Sequence, residues 1–107
     1  MSEDVLEQLV RTVRERRLST GEKSYTRHLL DGGVERCAKK LGEEAFEVVI
    51  AALAQSDEAL KGEAADLIYH LIVLLEARDI PLDDVLAVLA TRSGRSGHDE
   101  KAGRASG

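Results

Sequence analysis

Two apolar-striped helices joined by a turn of a few residues can do little except pack antiparallel against each other. The sequence sets up such a pair. Val34, Ala38, Leu41, Ala45, Val48 and Ala52 recur at the helical period, and Phe46, Val49, Ile50 and Leu53 widen the stripe, so a helix is predicted over 34–54. Gln55-Ser56-Asp57 is a short turn, and Asp57 and Glu58 open a further helix that runs to about Arg78. At about 100° per residue, Lys40, Glu43, Glu44 and Glu47 occupy one arc roughly 100° wide, and Glu63 and Asp66 share a face of the second arm with His70. Counted outward from the turn, Glu44 and Glu47 stand at nearly the same height as Glu63 and Asp66. The hairpin brings the carboxylates level.

The flanking segments support an all-α fold of four to five helices around this central antiparallel pair. Ser2 is expected to cap a first helix whose stripe is Val5, Leu6, Leu9 and Val13, with Arg14, Arg16 and Arg17 at its basic end. Residues 18–33 lose periodicity and read as loop, with a short helical turn around Arg27–Leu30. Pro81 with Asp83 and Asp84 starts a last helix through about Arg92. Residues 1–92 are thus expected to form one domain and 93–107 a basic, mobile tail. With 107 residues and 3% aromatics, the core is modest, which favours a homodimer. The apolar half after Glu47 has to be enclosed by other helices.

Charge narrows the function classes. The net charge of −5 divides into −7 on the body of the chain and +2 on the end from Thr91, where Arg92, Arg95, Lys101 and Arg104 outweigh Asp99 and Glu100. That distribution argues against general nucleic-acid binding, which needs a broad basic surface. The single cysteine, Cys37, has no internal disulfide partner and is expected to be inert core. Leu67 to Leu75, the longest apolar stretch, is too short for a bilayer, and no signal peptide precedes the first helix; a cytoplasmic protein is expected.

The carboxylates admit two readings. One is a solvated face laced with pairs such as Lys39–Glu43 or Lys40–Glu44. The other is a divalent-cation site, because crowded carboxylates need a positive charge among them. Continuation of the arc into Ala51 and Ala54, where a wet face would carry more polar residues, and the level pairing across the hairpin favour the cation site. Mg²⁺ suits an all-oxygen set that leaves room for water and phosphate. His28, His70 and His98 show no zinc spacing, and neither acidic group has the Glu-x-x-His of a di-iron bundle.

Glu43-Glu44-Ala45-Phe46-Glu47 followed by Glu63-Ala64-Ala65-Asp66 resembles the signature of the all-α nucleoside triphosphate pyrophosphohydrolase superfamily. Ser24-Tyr25-Thr26, Lys39-Lys40-Leu41-Gly42, Leu67-Ile68-Tyr69-His70-Leu71 and Leu82-Asp83-Asp84-Val85-Leu86 extend the resemblance to the phosphoribosyl-ATP pyrophosphatase family over most of residues 5–92. The resemblance implies a Mg²⁺-dependent homodimer that hydrolyses phosphoribosyl-ATP to phosphoribosyl-AMP and pyrophosphate in histidine biosynthesis.

On that reading Glu44, Glu47, Glu63 and Asp66 hold Mg²⁺, and Glu43 orients or deprotonates the water or holds a second ion. Lys40 and, less well directed, Lys39 contact phosphate. Ser24, Tyr25 and Thr26 bind phosphate or ribose from the loop, and Arg92, Arg95 and Lys101 close over a phosphate. His70 supports the site by hydrogen bonding, and Tyr69 packs. The rivals are a house-cleaning nucleotide pyrophosphohydrolase with the same metal site and a non-catalytic helical dimerisation module.

Overall fold

Ser56 shows how the chain starts its helices: its hydroxyl accepts from the backbone N–H of Ala59 at 3.1 Å, and Asp57 and Glu58 put negative charge at the positive end of the helix dipole. The computed structural model describes residues 4–19 and 24–93. They form five helices: α1 (Val5–Leu18), α2 (Tyr25–Asp31), α3 (Gly33–Ala54), α4 (Asp57–Ala77) and α5 (Leu82–Ser93). Among the described residues there is no strand, and no helix is long and apolar enough to cross a membrane. The fold is all-α.

The central hairpin is α3 and α4, which make the most extensive pairing in the chain. Val13 of α1, Leu29 of α2, Cys37 of α3 and Ile72 and Val73 of α4 form a shared buried cluster, with Leu6, Leu9, Val10 and Leu82 packed against it. The Cys37 thiol is buried in this cluster, where desolvation raises its pKa, and it donates to the Leu29 carbonyl. It is structural, as expected. Glu76, only 6% exposed, accepts from Arg17 at 2.7 Å and pairs with Arg14 at 3.4 Å, which fastens α1 to the end of α4. There the chain closes α4 with Asp79 in the left-handed region (φ 58°), its N–H bonded to the Glu76 carbonyl and that of Ile80 to Leu75.

Two expectations are corrected. Asp4, not Ser2, takes the cap of α1, its carboxylate accepting from the Leu6 N–H; Ser2 lies outside the described residues. Val5 is consequently exposed, and Val10 joins the inward stripe. Ser24-Tyr25-Thr26 is not loop. Ser24 caps α2 through the Arg27 N–H, and Tyr25 and Thr26 form its first turn. Only Gly32 separates α2 from α3, and Gly33 carries a φ of +81° that favours glycine. The apolar half of α3, expected to be enclosed by other helices, is left open by the helices of this chain. Ala51 is buried, but Phe46 is 64% exposed, Leu53 is 83% exposed, and Val49 faces outward as well.

Candidate functional site

Glu44 of α3 and Glu63 and Asp66 of α4 converge. Each offers a carboxylate oxygen, and these oxygens lie within 4.8 Å of one another. The reason is the hairpin geometry: residues at comparable distances on either side of the Ser56 turn come to similar heights across the helix pair. Burial, reinforced by the charges of Glu47, Asp66 and Glu44, pushes the Glu63 carboxyl above its ordinary pKa. Glu47, one turn beyond Glu44, is exposed and stands outside the trio, but its charge reaches Glu63. The donor set is hard oxygen throughout, with no thiol or imidazole, which fits Mg²⁺ rather than zinc.

Lys40 stands at the edge of this trio. Its ammonium is 3.6 Å from Glu43 and 3.6 Å from Glu44, whose side chain is only 13% exposed. The nearby Tyr25 hydroxyl, with Glu43 and Glu44, raises the Lys40 pKa. Burial pushes the Tyr25 hydroxyl up, and Tyr69, Glu44 and Glu43 add to the shift, while Lys40 pulls it down. Both groups therefore carry protons at neutral pH. Glu43, which shares the Lys40 ammonium with Glu44, lines a pocket of about 250 Å³ with Tyr25, His28, Arg36, Lys39 and Lys40.

A hydrogen-bonded cluster holds α2 against α4. Nδ1 of His70 donates to the Asp66 carbonyl at 2.7 Å, leaving Nε2 to accept from the Tyr25 hydroxyl at 2.9 Å. Next to it Thr26, which is buried, hydrogen-bonds the Tyr69 hydroxyl. The Tyr69 ring meets the His70 ring edge-on, with centroids 4.9 Å apart. The hydroxyls of Ser24 and Thr26 thus serve the protein itself, and Tyr25 is the member of the triplet that borders the pocket. Tyr69 does more than pack.

Other anticipated residues lie elsewhere. Arg92 lies in the last turn of α5, a helix whose start borders a groove with α1, and it does not line the Lys40 pocket. Arg95 and Lys101 lie outside the described residues. Sequence reasoning missed His28 and Arg36. Arg36 had a signal: one turn before Lys40, it extends the same helical arc. His28 had none, because a short α2 has too few residues to show a period.

The chain matches the family model for phosphoribosyl-ATP pyrophosphohydrolase over residues 6–93. It is 53% identical over 104 residues to the phosphoribosyl-ATP pyrophosphatase of Agrobacterium fabrum, covering 97% of each chain. Its similarity to the phosphoribosyl-ATP pyrophosphatase of Azorhizobium caulinodans is 51% identity over 106 residues, again 97% of each. With phosphoribosyl-ATP pyrophosphatase 1 of Bradyrhizobium diazoefficiens it shares 53% identity over 96 residues, 90% of this chain and 91% of the relative. A family match across nearly the whole helical region, with relatives this similar over more than nine-tenths of their length, means that the chain belongs to the phosphoribosyl-ATP pyrophosphohydrolase family.

Proposed function

We propose that this protein hydrolyses the α–β phosphoanhydride of phosphoribosyl-ATP, giving phosphoribosyl-AMP and pyrophosphate, as the second step of histidine biosynthesis in the cytoplasm. The observation that carries the reading is the meeting of Glu44, Glu63 and Asp66 across the hairpin, beside Lys40, in a chain of this family. Those three carboxylates, with Glu47 at their edge, are the residues that would hold Mg²⁺. When bound, the ion neutralises phosphate charge and polarises the phosphoryl group.

The side chains supply the rest. Water adds to phosphorus, the α–β anhydride bond breaks, and pyrophosphate leaves. Glu43, half-exposed beside the trio, orients the water and accepts its proton, while Lys40 donates to phosphate oxygens and the Tyr25 hydroxyl, its proton committed to His70, accepts from a ribose hydroxyl. Lys39 adds charge at the same wall, and Arg92 and Arg95 are further candidates for phosphate contact. His70 holds Tyr25 in place.

The working form is a homodimer. Phe46, Val49, Leu53 and Ile68 leave large apolar side chains in water that a second copy would cover. The test of the reaction is pyrophosphate release from phosphoribosyl-ATP, ATP and dUTP, in Mg²⁺ and in EDTA. Release from phosphoribosyl-ATP alone, lost in EDTA, is the expected result. Preference for the ordinary nucleotides would assign the site to nucleotide house-cleaning, and silence on all three would leave the acidic arc structural.

A further inference from the structure

Arg36 is held in a way that an ordinary surface arginine is not. Its Nη1 donates to the His28 carbonyl at 2.9 Å, and its side chain lies across Gly32 so closely that a Cβ there would overlap Nε, Cδ and Cζ. The glycine is a seat: its φ of −80° suits any residue, so the constraint is the arginine above it. Arg36 and Lys39 both line the pocket, and among the described residues neither pairs with a carboxylate. Lys40, by contrast, already shares its charge with Glu43 and Glu44. The pocket wall thus carries three cations, Arg36, Lys39 and Lys40, against one carboxylate, Glu43, which Lys40 already pairs; in a chain of net charge −5 that local excess of positive charge, with Arg36 fixed, is built for an anion.

Position says which anion. Arg36 and Glu44 stand about 12 Å apart along α3, and Arg36 leans back toward Gly32 and His28, away from the carboxylate trio. The phosphates of a departing pyrophosphate stay next to the bond that breaks, so they remain near the trio and Lys40. Phosphoribosyl-ATP carries another phosphate at the far end of the molecule, the monoester on the ribose attached to the base. ATP lacks it.

We propose that the Arg36–Lys39 pocket binds the phosphate monoester of the phosphoribosyl group and thereby selects phosphoribosyl-ATP over ATP. The inference rests on the reaction proposed above. His28 helps twice, by fixing Arg36 through its carbonyl and by presenting its ring at the pocket wall.

The test compares Arg36→Ala, Arg36→Lys and Gly32→Ala with the wild-type protein. Two readouts are needed: KM and kcat for phosphoribosyl-ATP, and calorimetric binding of phosphoribosyl-AMP against AMP. Loss of a charge-assisted contact to phosphate corresponds to about 10- to 100-fold in affinity. Arg36→Ala is expected to raise KM by that order with kcat within a few-fold of wild type, and to erase the preference for phosphoribosyl-AMP over AMP. Arg36→Lys should keep part of the preference. Gly32→Ala, which retains the charge but unseats the arginine, should fall between. An active Arg36→Ala protein with its preference intact would overturn the pocket assignment alone, as would equal weakening toward AMP. Wild-type protein that releases no pyrophosphate from phosphoribosyl-ATP and binds phosphoribosyl-AMP no better than AMP would remove both the reaction and the pocket.

Discussion

The Tyr25 hydroxyl donates to Nε2 of His70 at 2.9 Å, and the same ring donates through Nδ1 to the backbone carbonyl of Asp66. One imidazole therefore ties the first residue of α2 to the turn of α4 that carries a site carboxylate. His70 is 6% exposed, and both of its nitrogens are used. Tyr25→Phe removes the donor and leaves Nε2 without this partner. A loss of about 1 kcal/mol in urea unfolding is expected, together with a raised KM. An unchanged KM would mean that the hydroxyl serves packing only.

Glu63 gives the metal-free protein a signed pH dependence. Burial and the neighbouring carboxylates raise its folded pKa above the unfolded value, so the folded state binds the proton more tightly. Its contribution is favourable below the unfolded pKa and is lost as pH rises through the raised folded pKa. In EDTA at neutral pH, Glu63→Gln should therefore melt higher than wild type, and the gap should narrow as pH falls toward the ordinary carboxylate range. Thermal melts of the two proteins across pH 4–8 check this. A gap independent of pH would place its cause outside the titration of Glu63.

Arg17 and Glu76 hold α1 onto α4 by a pair of contacts, from one guanidinium nitrogen to the carboxylate at 2.7 Å and to the Glu76 carbonyl at 3.2 Å. Removing the arginine leaves a buried carboxylate with only the longer contact to Arg14. Arg17→Ala is expected to cost about 2–3 kcal/mol by denaturant unfolding. Asp79→Asn, which removes the charge of an exposed partner of the same arginine and keeps a residue type that tolerates the left-handed φ of 58°, should cost about 1 kcal/mol or less.

The exposed apolar face of α3 should govern assembly. Leu53→Lys and Phe46→Asp place charge where a second copy would dock, and both side chains point into water in a single chain. Light scattering is expected to show a dimer for wild type and monomer for the variants at micromolar concentration. A monomeric wild type would contradict the homodimer.

The helix pair could be read from the sequence because its period is sustained over two long stretches, and the turn at Ser56 fixed which acids stand level. Counting from the turn brings Glu44 and Glu47 level with Glu63 and Asp66, but it does not tell that Glu44 joins the trio while Glu47 stands outside it. The beginning of α2 was hidden because Ser24 and Thr26 are typical loop residues; here one caps the helix and the other is bonded inward to Tyr69. Tyr69 and His70 gave no pairing signal either, since their partners lie more than 40 residues away in sequence, at Thr26 and Tyr25. The exposure of Phe46 and Leu53 could not be anticipated, because an apolar stripe does not say whether its own chain or another copy covers it.

The central claim is that the carboxylate trio is the reactive centre, and Asp66→Asn tests it most directly. The substitution keeps size and hydrogen bonding but removes one of the three converging charges, and Asp66 holds His70 through its backbone carbonyl, which the variant retains. Initial rates of pyrophosphate release from phosphoribosyl-ATP at saturating Mg²⁺, compared with wild type in a variant that melts at or above the wild-type temperature, give the answer. A fall of about 10³-fold or more is expected, the order seen when preorganised electrostatic stabilisation is removed. A folded Asp66→Asn protein within a few-fold of wild type would contradict the account.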